Sequence, residues 1–257
     1  MFFTGLFFGS FFGVIVDRVK SGKGFIKGRS KCEYCKKELT FFDLIPVFSF
    51  IFLKGKCRYC HKKLSVMYPL IEVSTGFLFA LSYMYSPFIM QNGNLNFSFF
   101  YNLFIFSCFS ILIFQDLKYG YLSDKIILLS SVITLLFYVV FKNELFLNHL
   151  LSGILSFLFF VLISYVFLLA TKKQGMGGGD IKLSFLLGLF LGFPGIVLTL
   201  YIAFLTGAFA SIILVLWRKK DYLKDSVPFG PFLIIGTIIS VFLGGIIYPL
   251  VASFLGI

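Results

Sequence analysis

The sequence predicts an all-α polytopic membrane protein with about eight transmembrane helices and a small cytoplasmic four-cysteine domain between the first and second spans. Three observations predict this class. Hydrophobic residues make up 59% of the 257 residues and charged residues only 13%, whereas soluble domains average about 45–50% and about 25%. The apolar residues form runs that can cross a bilayer. The basic residues lie almost entirely in alternate connections between those runs.

Eight apolar runs follow one another along the chain. They cover residues 1–16, 67–90, 97–115, 125–141, 149–170, 183–193, 195–217 and 229–254. The stretch 183–217 is too long for one span, and Gly192-Phe-Pro-Gly195 carries the turn signal that divides it. The sixth span is therefore expected to be short.

The first run is expected to be a span and not a cleaved signal peptide, because no basic region precedes it and no small-residue cleavage site follows it. Gly5, Gly9 and Gly13 recur every four residues within it. Glycines at this spacing lie on one face of a helix, where a neighbouring helix can approach closely.

The distribution of Lys and Arg predicts the orientation. With eight spans, the connections on one side hold 22 of the 23 Lys and Arg residues, and the other side holds only Lys142. Segment 17–66 alone holds 13 of them. Because Lys and Arg mark cytoplasmic loops, this segment is expected in the cytoplasm and both termini outside. The net charge of +12 thus reflects membrane topology, with the lipid bilayer and not nucleic acid as the expected partner.

The cysteine segment carries two C-x-x-C pairs, Cys32 with Cys35 and Cys57 with Cys60, separated by 21 residues. Each pair can hold one ion with two thiolates, and two pairs complete a tetrahedral zinc site. A spacer of about 15–20 residues is usual for such sites. Lys and Arg residues beside both pairs favour the thiolate form. Four cysteines leave no open position, so the zinc would be structural.

Two other chemistries are compatible with this segment. Cys57-Arg-Tyr-Cys60-His61 alone has the spacing of a c-type haem attachment site, but haem is attached outside the cytoplasm, and the first pair would be unexplained. Redox-active thiols are the second alternative, although the cytosol keeps thiols reduced. Structural zinc is the favoured interpretation, with His61 as a bystander. Cys108 lies in an apolar run and is expected to pack as a small hydrophobic residue.

Three acidic residues lie at the cytoplasmic ends of spans. Asp116 and Asp124 flank the connection between the third and fourth spans, and Asp180 begins the sixth. An ionisable group at membrane depth is costly and is a candidate functional residue. Two converging carboxylates share a proton, so that one can activate water while the other acts as an acid, as in aspartic proteases.

The glycines of Gly175-Met-Gly-Gly-Gly-Asp180 admit two interpretations. A run without side chains lets a substrate backbone come close to the acid. Alternatively, the glycines form a loop, and Asp180 caps the N-terminus of the sixth helix. A zinc-regulated transporter that uses the acids as an ion path is a further hypothesis, although transporter sites tend to lie near the membrane midplane.

Four motifs, in order, resemble those of the bacterial type IV prepilin peptidases, membrane aspartic proteases of the GxGD type joined to an N-methyltransferase. The motifs are Gly9-Ser-Phe11 with Arg18, the cysteine segment from Ser30 through Asp43-Leu-Ile-Pro46 and Lys54-Gly-Lys-Cys57 to Tyr68-Pro-Leu-Ile-Glu72, Gly177-Gly-Gly-Asp180 with Lys182, and Pro228-Phe-Gly-Pro231. The resemblance covers nearly the whole chain. Ser123 departs from it, because the family usually has proline at that position.

The resemblance implies that Asp116 and Asp180 are the catalytic pair. Supporting positions are Asp124, Gly177, Gly179 and Lys182. It also implies an activity in the bacterial inner membrane: cleavage of prepilin or pseudopilin leaders after a Gly on the cytoplasmic side, then methylation of the new N-terminus with S-adenosylmethionine.

The resemblance also divides the chain. Residues 1–90, with the cysteine domain at about 20–66, are linked to the methyltransferase, and residues 97–257 form a six-span aspartic peptidase core. Because no G-x-G-x-x-G motif is present, the methyltransferase rests on the resemblance alone, and a peptidase without it is the second hypothesis. Glu72 and Gly76 are candidates for its site; alternatively, Glu72 bonds to a neighbouring helix.

Overall fold

The computed structural model describes residues 1–20, 30–86, 96–172, 175–216 and 228–255. In these ranges the chain is helical, and bridges of β type are limited to the isolated pairs Lys31 with Glu38 and Lys56 with Lys63. A short 3-10 helix covers Phe41–Leu44. The α-helices are α1 (Phe2–Lys20), α2 (Phe48–Phe52), α3 (Met67–Tyr85), α4 (Phe97–Tyr119), α5 (Asp124–Phe141), α6 (Asn143–Thr171), α7 (Gly178–Leu191), α8 (Gly195–Leu216) and α9 (Gly230–Leu255). The predicted all-α class is confirmed.

Each of the eight predicted apolar runs overlaps one of these helices, and α2 lies in the cysteine segment. Six helices of the described part are long and apolar enough to cross a membrane: α1, α4, α5, α6, α8 and α9. Of the other two, α3 has 19 residues and α7 has 14. The chain is therefore a multi-pass membrane protein.

Helix α7 is the short sixth element that the sequence predicts. At 1.5 Å per residue it is about 21 Å long, less than the roughly 30 Å of a hydrocarbon core. It stops at Leu191, and α8 begins at Gly195, so the predicted turn divides the long run. Residues 87–90 of the second predicted run and the basic connection 218–227 lie outside the described residues.

The chain forms two compact units, unit 1 (Met1–Lys118) and unit 2 (Tyr119–Ile257). Unit 1 contains α1, the cysteine segment, α2, α3 and nearly all of α4. Unit 2 contains α5 to α9. This boundary lies in the last turn of α4, so it does not coincide with the functional division at residues 90–97, which stays a prediction.

Helices α1 and α3 of unit 1 are in backbone contact. A Cβ added to Gly5 would lie 2.7 Å from Gly76 Cα, and one added to Gly9 would lie 2.6 Å from Glu72 Cα. Real Cβ atoms do not approach so closely, so only glycine permits this separation. The third glycine, Gly13, has room for a methyl group, since its nearest neighbour would lie at 3.6 Å. The predicted close approach is confirmed, and its partner is α3.

In unit 2, α7 packs against α5 and α6. A Cβ on Gly188 would lie 2.5 Å from the Ser152 carbonyl oxygen of α6. The Ser156 hydroxyl of α6 donates to the Ser184 carbonyl of α7 at 2.8 Å. From α5, the Tyr138 hydroxyl donates to the Phe190 carbonyl at 3.0 Å. These contacts fix the short helix that carries Asp180.

Candidate functional site

The four cysteines of the cysteine segment converge. Ligand atoms of Cys32, Cys35, Cys57 and Cys60 all lie within 4.8 Å of one another, and the sulfur atoms of Cys32 and Cys60 are 3.9 Å apart. In a tetrahedral site with zinc–sulfur bonds of about 2.3 Å, the sulfur atoms are about 3.8 Å apart. The residues present therefore fit a structural zinc ion, as the spacing predicts.

The two C-x-x-C turns share one backbone pattern. In each, the N–H of the first cysteine donates to the carbonyl five residues later, and its carbonyl accepts from the N–H four residues later, all at 3.0 Å. The donor and acceptor pairs are Cys32 to Lys37, Lys36 to Cys32, Cys57 to Lys62, and His61 to Cys57. His61 has φ +55° and its counterpart Lys36 has φ +59°. His61 thus occupies the left-handed turn position and stands outside the four-cysteine cluster, consistent with its interpretation as a bystander.

Reciprocal contacts link the two turns. The Lys37 ammonium lies 5.2 Å from the ring centre of Tyr59, and the Lys62 ammonium lies 5.1 Å from that of Tyr34. Each lysine thus makes a cation–π contact with the tyrosine of the other turn. These contacts hold the two cysteine pairs in register.

Asp43 anchors the segment between the two cysteine pairs. Its carboxylate accepts from the Thr40 N–H at 3.0 Å and the Thr40 hydroxyl at 2.7 Å, and Arg58 Nε lies 2.7 Å from it. Burial alone would raise the pKa of Asp43. The two hydrogen bonds and the guanidinium outweigh burial and hold the pKa below its usual value of 3.8. The carboxylate is therefore ionised at neutral pH and joins the 3-10 helix to the second cysteine turn.

Unit 1 encloses a cavity of about 570 Å³ between α1, the cysteine segment and α3. Asp17, Glu33 and Glu72 line it with carboxylates, and Arg18 and Lys36 line it with basic groups. The lining includes neither Asp116 nor Asp180. A second site, separate from the expected cleavage residues, is therefore available in unit 1.

Glu72 lies on the α3 wall of this cavity and is 8% exposed. It accepts a hydrogen bond from the Val47 N–H at 2.7 Å, and the Ser10 side chain of α1 bonds to the same carboxylate. The bond to Ser10 agrees with the alternative of a contact to a neighbouring helix. Gly76 does not line the cavity. A Cβ there would lie 2.9 Å from the Phe2 ring, so alanine at this position would require that ring to shift.

An ionic cluster that the sequence does not predict joins four parts of unit 1. The Tyr68 hydroxyl lies 2.6 Å from Glu33 Oε1 and 3.0 Å from Asp17 Oδ2. The Lys118 ammonium donates to Asp17 Oδ1 at 2.6 Å. The cluster contains one residue each from α1, the cysteine segment, α3 and α4. Asp17 was recognisable as the first charge after an apolar run, but its partner Lys118 is 101 residues away.

Asp116 lies in the last turns of α4 and is 6% exposed. Two residues later, Lys118 belongs to the ionic cluster described above. Asp116 is a residue of unit 1, and Asp180 is a residue of unit 2. Their action as a catalytic pair therefore stays a prediction from the sequence.

Asp180 is the third residue of α7 and is partly exposed. Its N–H donates to the carbonyl of Gly177 at 3.1 Å, and Gly177 is the N-cap. The predicted alternative, in which Asp180 itself is the cap, is wrong by this geometry. The carboxylate instead lies in the first turn, where the partial positive charge of the helix end favours an anion.

The three glycines before Asp180 have different surroundings. A Cβ on Gly177 would lie 3.3 Å from Asp180 Oδ2, and one on Gly179 would lie 3.0 Å from Leu122 Cβ. Among the residues that the structure describes, a Cβ on Gly178 would meet nothing within 4 Å. Gly177 and Gly179 therefore permit close packing around the acid, while the backbone at Gly178 borders open space.

Asp124 and Lys182 form an ion pair within unit 2, with Lys182 Nζ donating to Asp124 Oδ2 at 2.8 Å. Their side chains are 65% and 52% exposed. Ser123, which replaces the usual proline, is the N-cap of α5. Its carbonyl accepts hydrogen bonds from two N–H groups of the first turn at 3.1 Å. Serine thus starts the helix at Asp124 without the proline.

The fold and these residues define a class: a multi-pass helical membrane protein with a four-cysteine centre and an aspartate that follows glycines at the start of a short helix. The family model described as Bacterial Peptidase A24 N-terminal domain matches residues 3–86. The model of the Type IV leader peptidase family matches residues 103–212. No solved structure matches the chain.

Similar proteins carry the name prepilin leader peptidase/N-methyltransferase. The one from Klebsiella pneumoniae is 31% identical over 79% of this chain and 89% of its own length. The protein from Aeromonas hydrophila is 31% identical over 84% of this chain and 72% of its own length. The protein from Bacillus subtilis is 28% identical over 95% of this chain and 93% of its own length. The chain belongs to the prepilin leader peptidase/N-methyltransferase family, whose members combine a peptidase with a methyltransferase.

Proposed function

We propose that this protein removes the leader of type IV prepilins or pseudopilins after a Gly and then methylates the new N-terminus with S-adenosylmethionine. The observation that carries the proposal is the position of Asp180, in the first turn of α7 beside a backbone without side chains. Asp116 lies at the end of α4. In a chain of this family, the cleavage residues are expected at these two positions.

The charge distribution supports a cytoplasmic active site in the bacterial inner membrane. The cysteine segment and the connections beside Asp116 and Asp180 belong to the side that holds nearly all Lys and Arg residues, and such loops remain in the cytoplasm. The junction between a polar leader and an apolar pilin helix would lie at this membrane surface. Both acids therefore belong to the side on which the scissile bond is expected.

In the proposed cleavage, the two aspartates share one proton, because like charges a few ångströms apart cannot both ionise. The ionised carboxylate accepts a proton from water as the oxygen attacks the Gly carbonyl carbon. The protonated carboxyl donates its proton as the carbon–nitrogen bond breaks and the amine leaves. The open space beside Gly178 supports the entry of an extended peptide backbone next to Asp180.

The remaining predicted residues of unit 2 are assigned supporting roles. The ion pair of Asp124 with Lys182 ties the start of α5 to α7. Gly177 and Gly179 allow the first turn of α7 to pack tightly around the acid. None of these residues needs to titrate during cleavage.

The methyltransferase half is assigned to residues 1–90. Zinc held by the four cysteines would fix one wall of the cavity in unit 1, and S-adenosylmethionine would supply the methyl group. Glu72 is the site residue that the cavity supports, whereas Gly76 acts through the packing of α1 on α3.

Intact-mass analysis after co-expression with a candidate prepilin tests the proposal. The expected product has lost its leader and carries one added methyl group on its N-terminus. A cleaved product without the methyl group would show a peptidase that lacks the methyltransferase. An unprocessed prepilin beside membrane-inserted, zinc-loaded enzyme would contradict the proposal for that class of substrate.

A further inference from the structure

We propose that the cavity of unit 1 binds S-adenosylmethionine, with Glu72 as the carboxylate that recognises its positive charge and the incoming amine. This inference rests on the proposed function, since it locates the methyl-transfer step within the chain. It assigns that step to the space between α1, the cysteine segment and α3.

The size and lining of the cavity fit this ligand. Its volume of about 570 Å³ falls within the range of roughly 300–1,000 Å³ found for small-molecule sites. S-adenosylmethionine carries a sulfonium, an ammonium, a carboxylate and a flat apolar base. The lining offers carboxylates from Asp17 and Glu33, a guanidinium from Arg18, and apolar side chains such as Phe50 and Ile71. Charges of both signs beside an apolar wall suit a zwitterion better than a simple anion.

Glu72 differs from the other carboxylates because it is buried and held in place. The Val47 N–H and the Ser10 side chain both bind it. Val47 has φ +62° and ψ −49°, a backbone conformation that a β-branched residue rarely adopts. The hydrogen bond from Val47 to Glu72 helps to hold that conformation, so the carboxylate is oriented before any ligand arrives. Strained residues of this kind occur often at ligand sites.

The chemistry of the step agrees with a buried carboxylate. The amine nitrogen forms a bond to the methyl carbon, the carbon–sulfur bond breaks, and its electron pair stays on sulfur. The products are S-adenosylhomocysteine and a secondary amine that has released one proton. A carboxylate beside the reacting groups stabilises the one positive charge that passes from sulfur to nitrogen, and it can accept the proton that the methylated amine releases.

The cysteine centre forms part of the same cavity. Cys32 and Cys57 line it, and both are 3% exposed. Zinc held by these thiolates would therefore shape a wall of the methyl-donor site. This gives the metal a role in methyl transfer without a role in the chemistry itself.

Binding of S-adenosylmethionine and S-adenosylhomocysteine to the purified, zinc-loaded, full-length protein tests the inference by calorimetry. Glu72→Gln removes a charge at nearly constant size, and Ser49→Phe fills the cavity from α2. Glu144→Gln, at an exposed position of α6, is the matched control. Because Glu72→Gln loses one charged contact, its affinity for S-adenosylmethionine should fall by about tenfold or more.

The two ligands separate recognition of charge from a change in structure. S-adenosylhomocysteine lacks the sulfonium charge, so Glu72→Gln should weaken its binding less and lower the ratio of the two affinities. Ser49→Phe should weaken the binding of both ligands, and Glu144→Gln should change the binding of neither. Should Ser49→Phe fail to fold, the affinity ratio of Glu72→Gln decides alone.

The outcomes distinguish the inference from the proposed function. A wild-type protein that cleaves a prepilin but neither methylates it nor binds S-adenosylmethionine contradicts the methyltransferase half, and the inference with it. A wild-type protein that methylates, while Glu72→Gln and Ser49→Phe bind both ligands as tightly as it does, overturns the inference and leaves the function standing.

Discussion

At the scale of single residues, Asp43 shows how a polar segment of about 35 residues folds without a large apolar core. Its carboxylate joins Thr40 at the start of the 3-10 helix to Arg58 inside the second cysteine turn. Charge-assisted hydrogen bonds of this kind are stronger than neutral ones. Together with the proposed metal, they hold the segment that forms one wall of the cavity.

Replacing Asp43 with asparagine should therefore lower the melting temperature. The charged cap and the ion pair contribute about 1 kcal/mol to the free energy of unfolding. This corresponds to a shift of about 2–4 °C in the melting temperature of a chain of this size. The folded-state pKa of Asp43 is depressed, so the stabilisation is full at neutral pH. It is lost as the pH falls below 3.8 and through the folded-state pKa.

Thermal unfolding of Asp43→Asn and wild type between pH 7 and pH 3 measures this effect. Acid would release zinc held by the four cysteines from both proteins, so the difference between the two melting temperatures isolates Asp43. The difference should be largest at pH 7 and narrow at the acid end. A difference that grows on acidification would contradict the assignment.

The ion pair of Asp124 and Lys182 should contribute little to stability. Both side chains are more than half exposed, and exposed pairs contribute about 0–1 kcal/mol. In a double-mutant cycle of Asp124→Ala and Lys182→Ala, we expect a coupling energy below about 1 kcal/mol. A coupling of several kcal/mol would show that the pair is buried in the working enzyme.

Sites built from a local sequence motif are easier to predict from the sequence than sites whose residues are far apart in the chain. The convergence of the four cysteines was predictable because two C-x-x-C pairs at this spacing favour one shared metal site. The cluster of Tyr68, Asp17, Glu33 and Lys118 was not, since its members come from four separate parts of the chain. The cavity was likewise absent from the prediction, because its lining depends on how α1 and α3 pack.

At the scale of elements, the contact between α1 and α3 depends on two of the three glycines that recur every four residues in α1. Gly5 and Gly9 bring the α1 backbone against Gly76 and Glu72, whereas Gly13 leaves room for a methyl group. The spacing of three glycines was visible in the sequence. Which of them is indispensable could not be seen, because it depends on the angle at which the helices diverge.

Gly9→Ala and Gly13→Ala form a matched pair that tests this contact. Gly9→Ala forces the helices apart at Glu72 and should destabilise the protein by about 1–3 kcal/mol. Gly13→Ala should be neutral or slightly stabilising, because alanine favours a helix by up to about 1 kcal/mol over glycine. Melting temperatures of the two variants measure the difference, and equal values would contradict the close approach at Gly9.

Eight helices were predictable from apolar runs, and α2 was not. Phe48–Phe52 is only five residues long and lies inside a polar segment, so it produces no run of its own. The end of α7 at Leu191 was predictable from the Gly-Phe-Pro-Gly turn. The start of α7 at Gly178 was not, because three glycines usually indicate a loop.

At the scale of the whole molecule, the residues of the proposed function are distributed over the two compact units. The cavity and the cysteine centre belong to unit 1. Asp180 and its supporting ion pair belong to unit 2. Asp116, in the last turns of α4, is the proposed cleavage residue that belongs to unit 1.

Metal content tests the cysteine centre in the full-length protein. Cys57→Ser removes one of four converging ligands, and we expect it to lower the zinc content from one ion per chain to a small fraction. Cys108→Ser is the matched control, because Cys108 lies buried in α4 and should leave the zinc unchanged. Full zinc content in Cys57→Ser would contradict a four-cysteine site.

The central claim is that Asp116 and Asp180 perform the cleavage as a pair. The most direct test is the rate at which purified Asp116→Asn and Asp180→Asn cleave a prepilin, with Asp124→Asn as the comparison. Loss of either general acid–base group should lower the rate by about 10²–10⁴-fold, whereas Asp124→Asn should change it by less than about tenfold. Cleavage by either Asp116→Asn or Asp180→Asn at close to the wild-type rate would contradict the claim.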